Sequence, residues 1–186
     1  SVFFLSVFLT ANGVSSIFSS FEGSYHVELS RSFIRQYLYS MMVGILLALL
    51  LLVGVMALVF FEIFILSNLD ELIPSEINWI RIGQLFFYAI LIYITVSILY
   101  YFGTIEGKKT RFFSPGALMS CLLILLTTYL FGIYIENFSR YNQLYGSIGA
   151  LLIFLFYIWL NSSLLLLGFE LNATLNRLKN TDQVPS

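Results

Sequence analysis

The chain has 186 residues, 59% of them hydrophobic and only 10% charged, with a mean hydropathy of +0.91. Soluble domains carry about 25% charged residues, so this inventory excludes a water-soluble surface and points to an integral membrane protein built of helices. A β-barrel would alternate over segments of roughly ten residues, whereas the apolar runs here are unbroken; the net charge of −1 gives no sign of a nucleic-acid partner.

Five apolar segments follow in chain order: residues 2–18, 37–66, 80–102, 117–135 and 148–169. Each is close to or above the ~20 residues that cross the hydrocarbon. The first is the shortest and most polar. The second exceeds one straight span, so it must tilt or continue beyond the membrane as helix. "SPGA" before the fourth reads as a helix start, with Ser114 as N-cap and Pro115 in the first turn, where its missing N–H costs nothing. Trp79, Tyr100 and Tyr101 fall where interfacial aromatics are expected. "NLDELIPSEINW" reads as a polar loop with room for a short surface helix. The fold class is therefore all-α: a polytopic transmembrane bundle with five spans in one domain.

Basic residues set the orientation. Arg31 and Arg35, then Lys108, Lys109 and Arg111, then Arg177 and Lys179 fall in alternate connections, against Arg81 and Arg140 in the others. Seven against two assigns the first group, and the C-terminus, to the cytoplasm. The acids Glu62, Asp70, Glu71, Glu76 and Glu136 gather on the other side. Because the chain enters an apolar run at once from Ser1, a preceding helix is expected, making six spans in the full protein.

Little in the sequence supports catalysis or a cofactor. Cys121 is the single cysteine and His26 the single histidine, so neither a disulfide nor a multi-histidine metal site can be built. Glu22, His26 and Glu28 share a loop and read as a solvated polar stretch rather than a metal site. No Gly-rich phosphate loop is present, and nuclease, protease and phosphoryl-transfer chemistry lack matched partners.

The candidate functional residues are polar positions in apolar runs. Counted from Ile148, Glu170 lies roughly 33 Å along its helix at ~1.5 Å per residue, which is the membrane rim and not its centre. It reads either as a solvated helix end or as a rim carboxylate that bonds another helix or titrates. Asn172 is 200° away around the helix, so the two cannot chelate together. Asn161 and Asn172 are three turns apart and share a face with Leu165 and Gly168, a close-packing stripe with an amide at each end. Ser6, Thr10, Gly13, Ser16 and Ser20, with Asn12 beside them, form a second stripe suited to helix packing or to a wet cavity. Thr95, Ser97, Thr127, Thr128 and Tyr129 would complete a polar interior.

The last segment also carries a resemblance. "YGSIGALLIFLFYIWLNSSLLLLGFELNATL", with its Tyr-Gly-Ser entry, apolar run and Gly-x-Glu-Leu-Asn-Ala exit, resembles the closing signature of the YihY/BrkB family of bacterial membrane proteins, once labelled ribonuclease BN. "FFSPGALMS" resembles the start of that family's preceding helix, and "SSFEGSYHVELSRSFIRQYLYS" its cytoplasmic loop. Phe169 stands where a small residue is common and Ser32 where proline is common. The resemblance implies a six-helix inner-membrane protein with both termini inside, of which this chain holds helices two to six. It implies a transport or lipid-envelope role. Two functions follow as expectations: a transporter or lipid-handling permease around the polar stripe and Glu170, or a non-catalytic subunit that organises a larger membrane complex. The expected partners are membrane lipids and other membrane subunits or a second copy.

Overall fold

Without water to bond them, backbone groups in lipid must pair within their own segment, which favours helix throughout an apolar run. Among the described residues the chain forms five helices: α1 (Val2–Glu22), α2 (Phe33–Phe60), α3 (Trp79–Gly103), α4 (Pro115–Phe138) and α5 (Asn142–Thr181). The structure is a computed structural model and describes residues 2–24, 31–61, 63, 79–105, 111–138 and 142–181. All five helices are long and apolar enough to cross a membrane by length and composition. His26, Glu28 and the polar loop at 68–78 lie outside the described residues.

Helix boundaries exceed the apolar segments except at the end of α2, where residues 64–66 of the expected segment lie outside the described residues. α5 has 40 residues, a length of about 60 Å, and continues for more than two turns beyond Glu170. α4 starts as its sequence predicts. The Ala117 N–H donates to Ser114 Oγ at 3.3 Å, a capping bond, and Pro115 occupies the first turn. α2 starts after Ser32 at φ −63° and ψ 145°, without a side-chain cap. That backbone is the one a proline ring would fix, so the serine at this position changes no geometry.

The helices alternate in direction, and one end of the bundle gathers the C-termini of α1, α3 and α5 with the N-termini of α2 and α4. Buried hydrophobic side chains cluster toward this end: Val14, Phe18 and Phe21 of α1, Val43 of α2, Val96, Ile98, Leu99 and Tyr100 of α3, Ala117 of α4 and Phe169 of α5. It is also the end that carries Arg31, Arg35, Arg111, Arg177 and Lys179, and is called here the basic end. Toward the other end, α2 meets α3 and α4 meets α5. A Cβ on Gly54 of α2 would collide with Leu91 of α3, and one on Gly83 would touch Phe61. Between α4 and α5, Thr128 Oγ1 and Tyr157 Oη share a hydrogen bond of 2.8 Å, and the Phe131 ring lies 4.7 Å from that of Tyr157. Leu51, Leu52, Leu126, Leu151, Phe154 and Phe156 there are exposed, as lipid-facing side chains of a spanning helix are.

Candidate functional site at the basic end

Three short-range choices in the sequence build this end. First, Gly116 and Gly168 let α4 and α5 touch backbone to backbone. A Cβ on Gly168 would run into Ser120 Oγ, the Gly116 carbonyl and Tyr100 Oη; one on Gly116 would run into the Gly168 carbonyl and Asn172. Small residues at such crossings are how helices gain contact in lipid, where burial of apolar surface drives nothing.

Second, the close approach brings polar groups into mutual reach. The Gly116 N–H donates to Asn172 Oδ1 at 2.8 Å, and Asn172 Nδ2 donates to Ser114 Oγ at 2.7 Å. Asn172 on α5 thus caps α4 from outside, supplying an acceptor for one of the N-terminal amides that no helix can satisfy itself. One layer deeper, Tyr100 Oη shares a bond of 2.6 Å with Ser120 Oγ and donates to the Leu165 carbonyl, also at 2.6 Å. Tyr100 therefore joins α3, α4 and α5, and at 3% exposure it is a core residue, not the interfacial aromatic its position in sequence suggests. Phe169 stacks on Phe21 at 4.4 Å and 9°, and Tyr100 meets both rings edge-on. The bulky residue at 169 fills the gap between α1 and α5.

Third, charged groups tie loop ends to helix ends. Ser24 Oγ, just past α1, donates to Glu170 Oε1 at 2.6 Å. Arg31 Nη1 donates to the carbonyls of Phe102 at 2.8 Å and Gly103 at 3.3 Å, a cation on the C-terminal carbonyls of α3 that also complements its dipole. The guanidinium lies 4.6 Å from the Tyr39 ring centroid. Burial lowers the Arg31 pKa from its ordinary value, and the nearby Glu22 and Tyr39 oppose the shift.

Beside the Asn172 cap, an open-sided cavity of about 300 Å³ is lined by Arg111, Ser114, Pro115, Asn172, Leu175, Asn176 and Lys179. Among the described residues, no three His, Cys, Asp or Glu side chains gather as a metal site would require.

The sequence-based candidates separate into two groups. Glu170 and Asn172 both reach the basic end, on different partners, as their 200° separation requires. Glu170 is half-buried and within a continuing helix, so it is not a solvated helix end. Asn161 does not bridge helices. Its Nδ2 donates to the Tyr157 carbonyl of its own helix at 2.9 Å, and its Oδ1 is buried with no partner. The stripe on α5 therefore has an interhelical amide at one end only. Ser16 and Asn12 lie on an exposed face of α1, where Ser16 Oγ donates to the Asn12 carbonyl at 3.0 Å. Ser6, Thr10 and Ser20 bond back along the helix in the same way, and Gly13 has open space beside it. Apart from Thr10, whose methyl group lies against Gly44 of α2, this stripe is not packed within the described residues. The packed face of α1 is instead Ala11, Val14, Phe18 and Phe21. Thr95 also bonds its own helix, at the Leu91 carbonyl, whereas Ser97 is fully buried and its Oγ has no partner.

Sequence reasoning misses Arg31, Tyr100, Ser120 and the cations of the cavity. Ser120 had a signal: Gly116 and Ser120 form a small-xxx-small pair one turn apart. Arg31 and Tyr100 had none, because a loop arginine and a helix-end tyrosine are common at membrane boundaries.

A bundle of five apolar helices with a polar knot at one end defines a polytopic helical membrane protein. The particular family follows from sequence comparison: the profile described as "Virulence factor BrkB" matches residues 1–185, and the chain belongs to that family. A ribonuclease-like protein, YfkH of Bacillus subtilis (strain 168), is 31% identical over 174 residues, covering 91% of this chain and 62% of YfkH. A UPF0761 membrane protein of Xanthomonas campestris pv. campestris (strain B100) is 30% identical over 84 residues, 45% of this chain and 20% of that protein. One from Psychrobacter sp. (strain PRwf-1) is 42% identical over 60 residues, 32% of this chain and 11% of that protein. The chain thus spans less than two thirds of these relatives. No solved structure matches.

Proposed function

We propose that the protein is a transporter or lipid-handling permease of the bacterial inner membrane, with the basic end in the cytoplasm. The observation that carries this reading is the cavity of about 300 Å³ between α4 and α5 at the membrane rim. It lies next to the Asn172 cap, where α4 and α5 meet. A moving substrate needs a polar compartment at the boundary, and the residues of α4 and α5 that line the cavity supply one. The excess of basic residues at this end supports its cytoplasmic placement. Glu170 is the residue to act as a rim gate, because its bond to Ser24 joins α5 to the end of α1.

The test is transbilayer movement of a fluorescent phosphatidylglycerol in proteoliposomes containing the protein. Movement faster than in protein-free vesicles, reduced several-fold by Glu170→Ala at normal protein yield, is the expected result. Rates equal to empty vesicles for the unaltered protein would sink the permease reading.

One observation favours a second reading, that of a non-catalytic subunit. The exposed α1 face of Ser6, Gly13, Ser16 and Ser20 has its hydroxyls bonded inward and little side-chain bulk, which suits close approach of another helix. On that reading, Ser16→Leu would release a partner protein from the purified complex while lipid movement stays at background.

A further inference from the structure

We infer that the cavity between α4 and α5 binds a phosphate group, held by Arg111, Lys179 and the Ser114 hydroxyl. This deepens the permease reading by naming the chemistry its rim compartment recognises, and rests on that reading for the ligand's presence at the membrane.

The charge pattern is one-sided. Arg111 and Lys179 line the cavity, together with Asn176 and the apolar side chain of Leu175, and no carboxylate among the described residues lines it. Two cations facing one cavity repel each other unless an anion sits between them. Arginine presents a planar fork that matches phosphate oxygens in pairs, and lysine adds a compact point charge. The volume lies at the lower end of the about 300–1,000 Å³ typical of ligand pockets.

Ser114 supplies the second, independent observation. It is 95% buried, with 5% exposure. Both hydrogen bonds that reach its Oγ arrive at lone pairs, one from Asn172 Nδ2 and one from the Ala117 N–H. The amide orientation of Asn172 is fixed, because the Gly116 N–H can only donate to Oδ1. The Ser114 proton is therefore left without an acceptor among the described residues, on a side chain that lines the cavity. A buried donor without an acceptor is costly, and a phosphate oxygen in the cavity would satisfy it. The amides of Gly116 and Ala117 are already taken, so the first turn of α4 contributes field but no free donor.

Depth fits the same ligand. The apolar run of α4 begins at Pro115 and that of α5 closes at Glu170, so the cavity lies at the membrane boundary, where lipid phosphates lie. Leu175 offers an apolar wall for the carbons next to such a phosphate. A free phosphate compound from the aqueous side would present the same oxygens, and the experiment separates the two sources.

The purified protein in neutral detergent micelles is titrated with dihexanoyl phosphatidylglycerol, with inorganic phosphate, and with dihexanoyl glycerol, which lacks the phosphate. Calorimetry reads affinity. The two phosphate probes are expected to compete for one site and the glycerol probe not to bind. Arg111→Gln with Lys179→Gln, both exposed positions, is expected to weaken each phosphate probe at least tenfold without loss of folded protein. Lipid bound at least tenfold tighter than inorganic phosphate assigns a headgroup; comparable binding assigns a soluble phosphate. No binding of either probe, or equal binding by the double variant, overturns the site. Phosphate binding without lipid movement in proteoliposomes would remove the permease reading and leave the site standing. Lipid movement by a protein that binds neither phosphate probe would do the reverse.

Discussion

The two ends of this bundle are made from the same apolar inventory and are held in different ways. At the basic end, α3, α4 and α5 are fastened by Asn172, Tyr100, Ser120 and the Gly116–Gly168 contact, while Arg31 and Ser24 tie loop ends to helices. At the far end, α2 keeps Leu91 of α3 against Gly54, and α4 keeps Tyr157 of α5 against Thr128, but the wide apolar faces of Leu51, Leu52, Leu151 and Phe154 stay uncovered by this chain. The difference teaches where cohesion comes from in lipid. Leucine surface gains nothing by turning inward, since the solvent is equally apolar; small residues and satisfied polar groups decide which helix faces meet.

If that is correct, equal chemical changes should have unequal effects at the two ends. Asn172→Ala should have the largest effect of the polar substitutions. It strips the acceptor from the buried Gly116 N–H and a donor from Ser114, at a cost of about 1–3 kcal/mol for a group left unsatisfied, readable as a lowered midpoint in detergent-induced unfolding. Tyr100→Phe should follow. It removes bonds to Ser120 Oγ and to the Leu165 carbonyl while keeping the ring packed on Phe21 and Phe169, so about 1 kcal/mol is expected in the same assay. Thr128→Val, at the exposed far-end contact with Tyr157, should lie within about 0.5 kcal/mol of the parent. An effect of Thr128→Val equal to that of Asn172→Ala would remove the distinction between the ends.

Much of the fold was legible because it depends on run length and on the placement of basic residues. The helix start at Ser114–Pro115 was legible too, since capping is a local matter. The site was legible in part. Glu170 and Asn172 stand out as polar residues at the exit of an apolar run, and 3.6-residue periodicity separates them correctly. What Glu170 bonds to was not legible: Ser24 is 146 residues away, and no local pattern encodes that pairing. The stripe on α1 shows the limit of periodicity from the other side. Ser6, Gly13 and Ser16 do share a face, but serines that bond back to their own carbonyls need no neighbour, and the larger Val14, Phe18 and Phe21 meet the bundle instead. A face pattern says which residues lie together, not which face is turned inward when every face is apolar enough for lipid.

The most direct test compares one substitution at two glycines. Gly168→Ala places a methyl against Ser120, Tyr100 and the Gly116 backbone, whereas Gly132→Ala on α4 meets nothing within 4 Å. In reversible unfolding from mixed micelles, Gly168→Ala is expected to lose about 1–3 kcal/mol through overpacking, and Gly132→Ala to be neutral or to gain up to about 1 kcal/mol from helix propensity. Equal and small changes at both positions would contradict the view that the bundle is held together at its basic end.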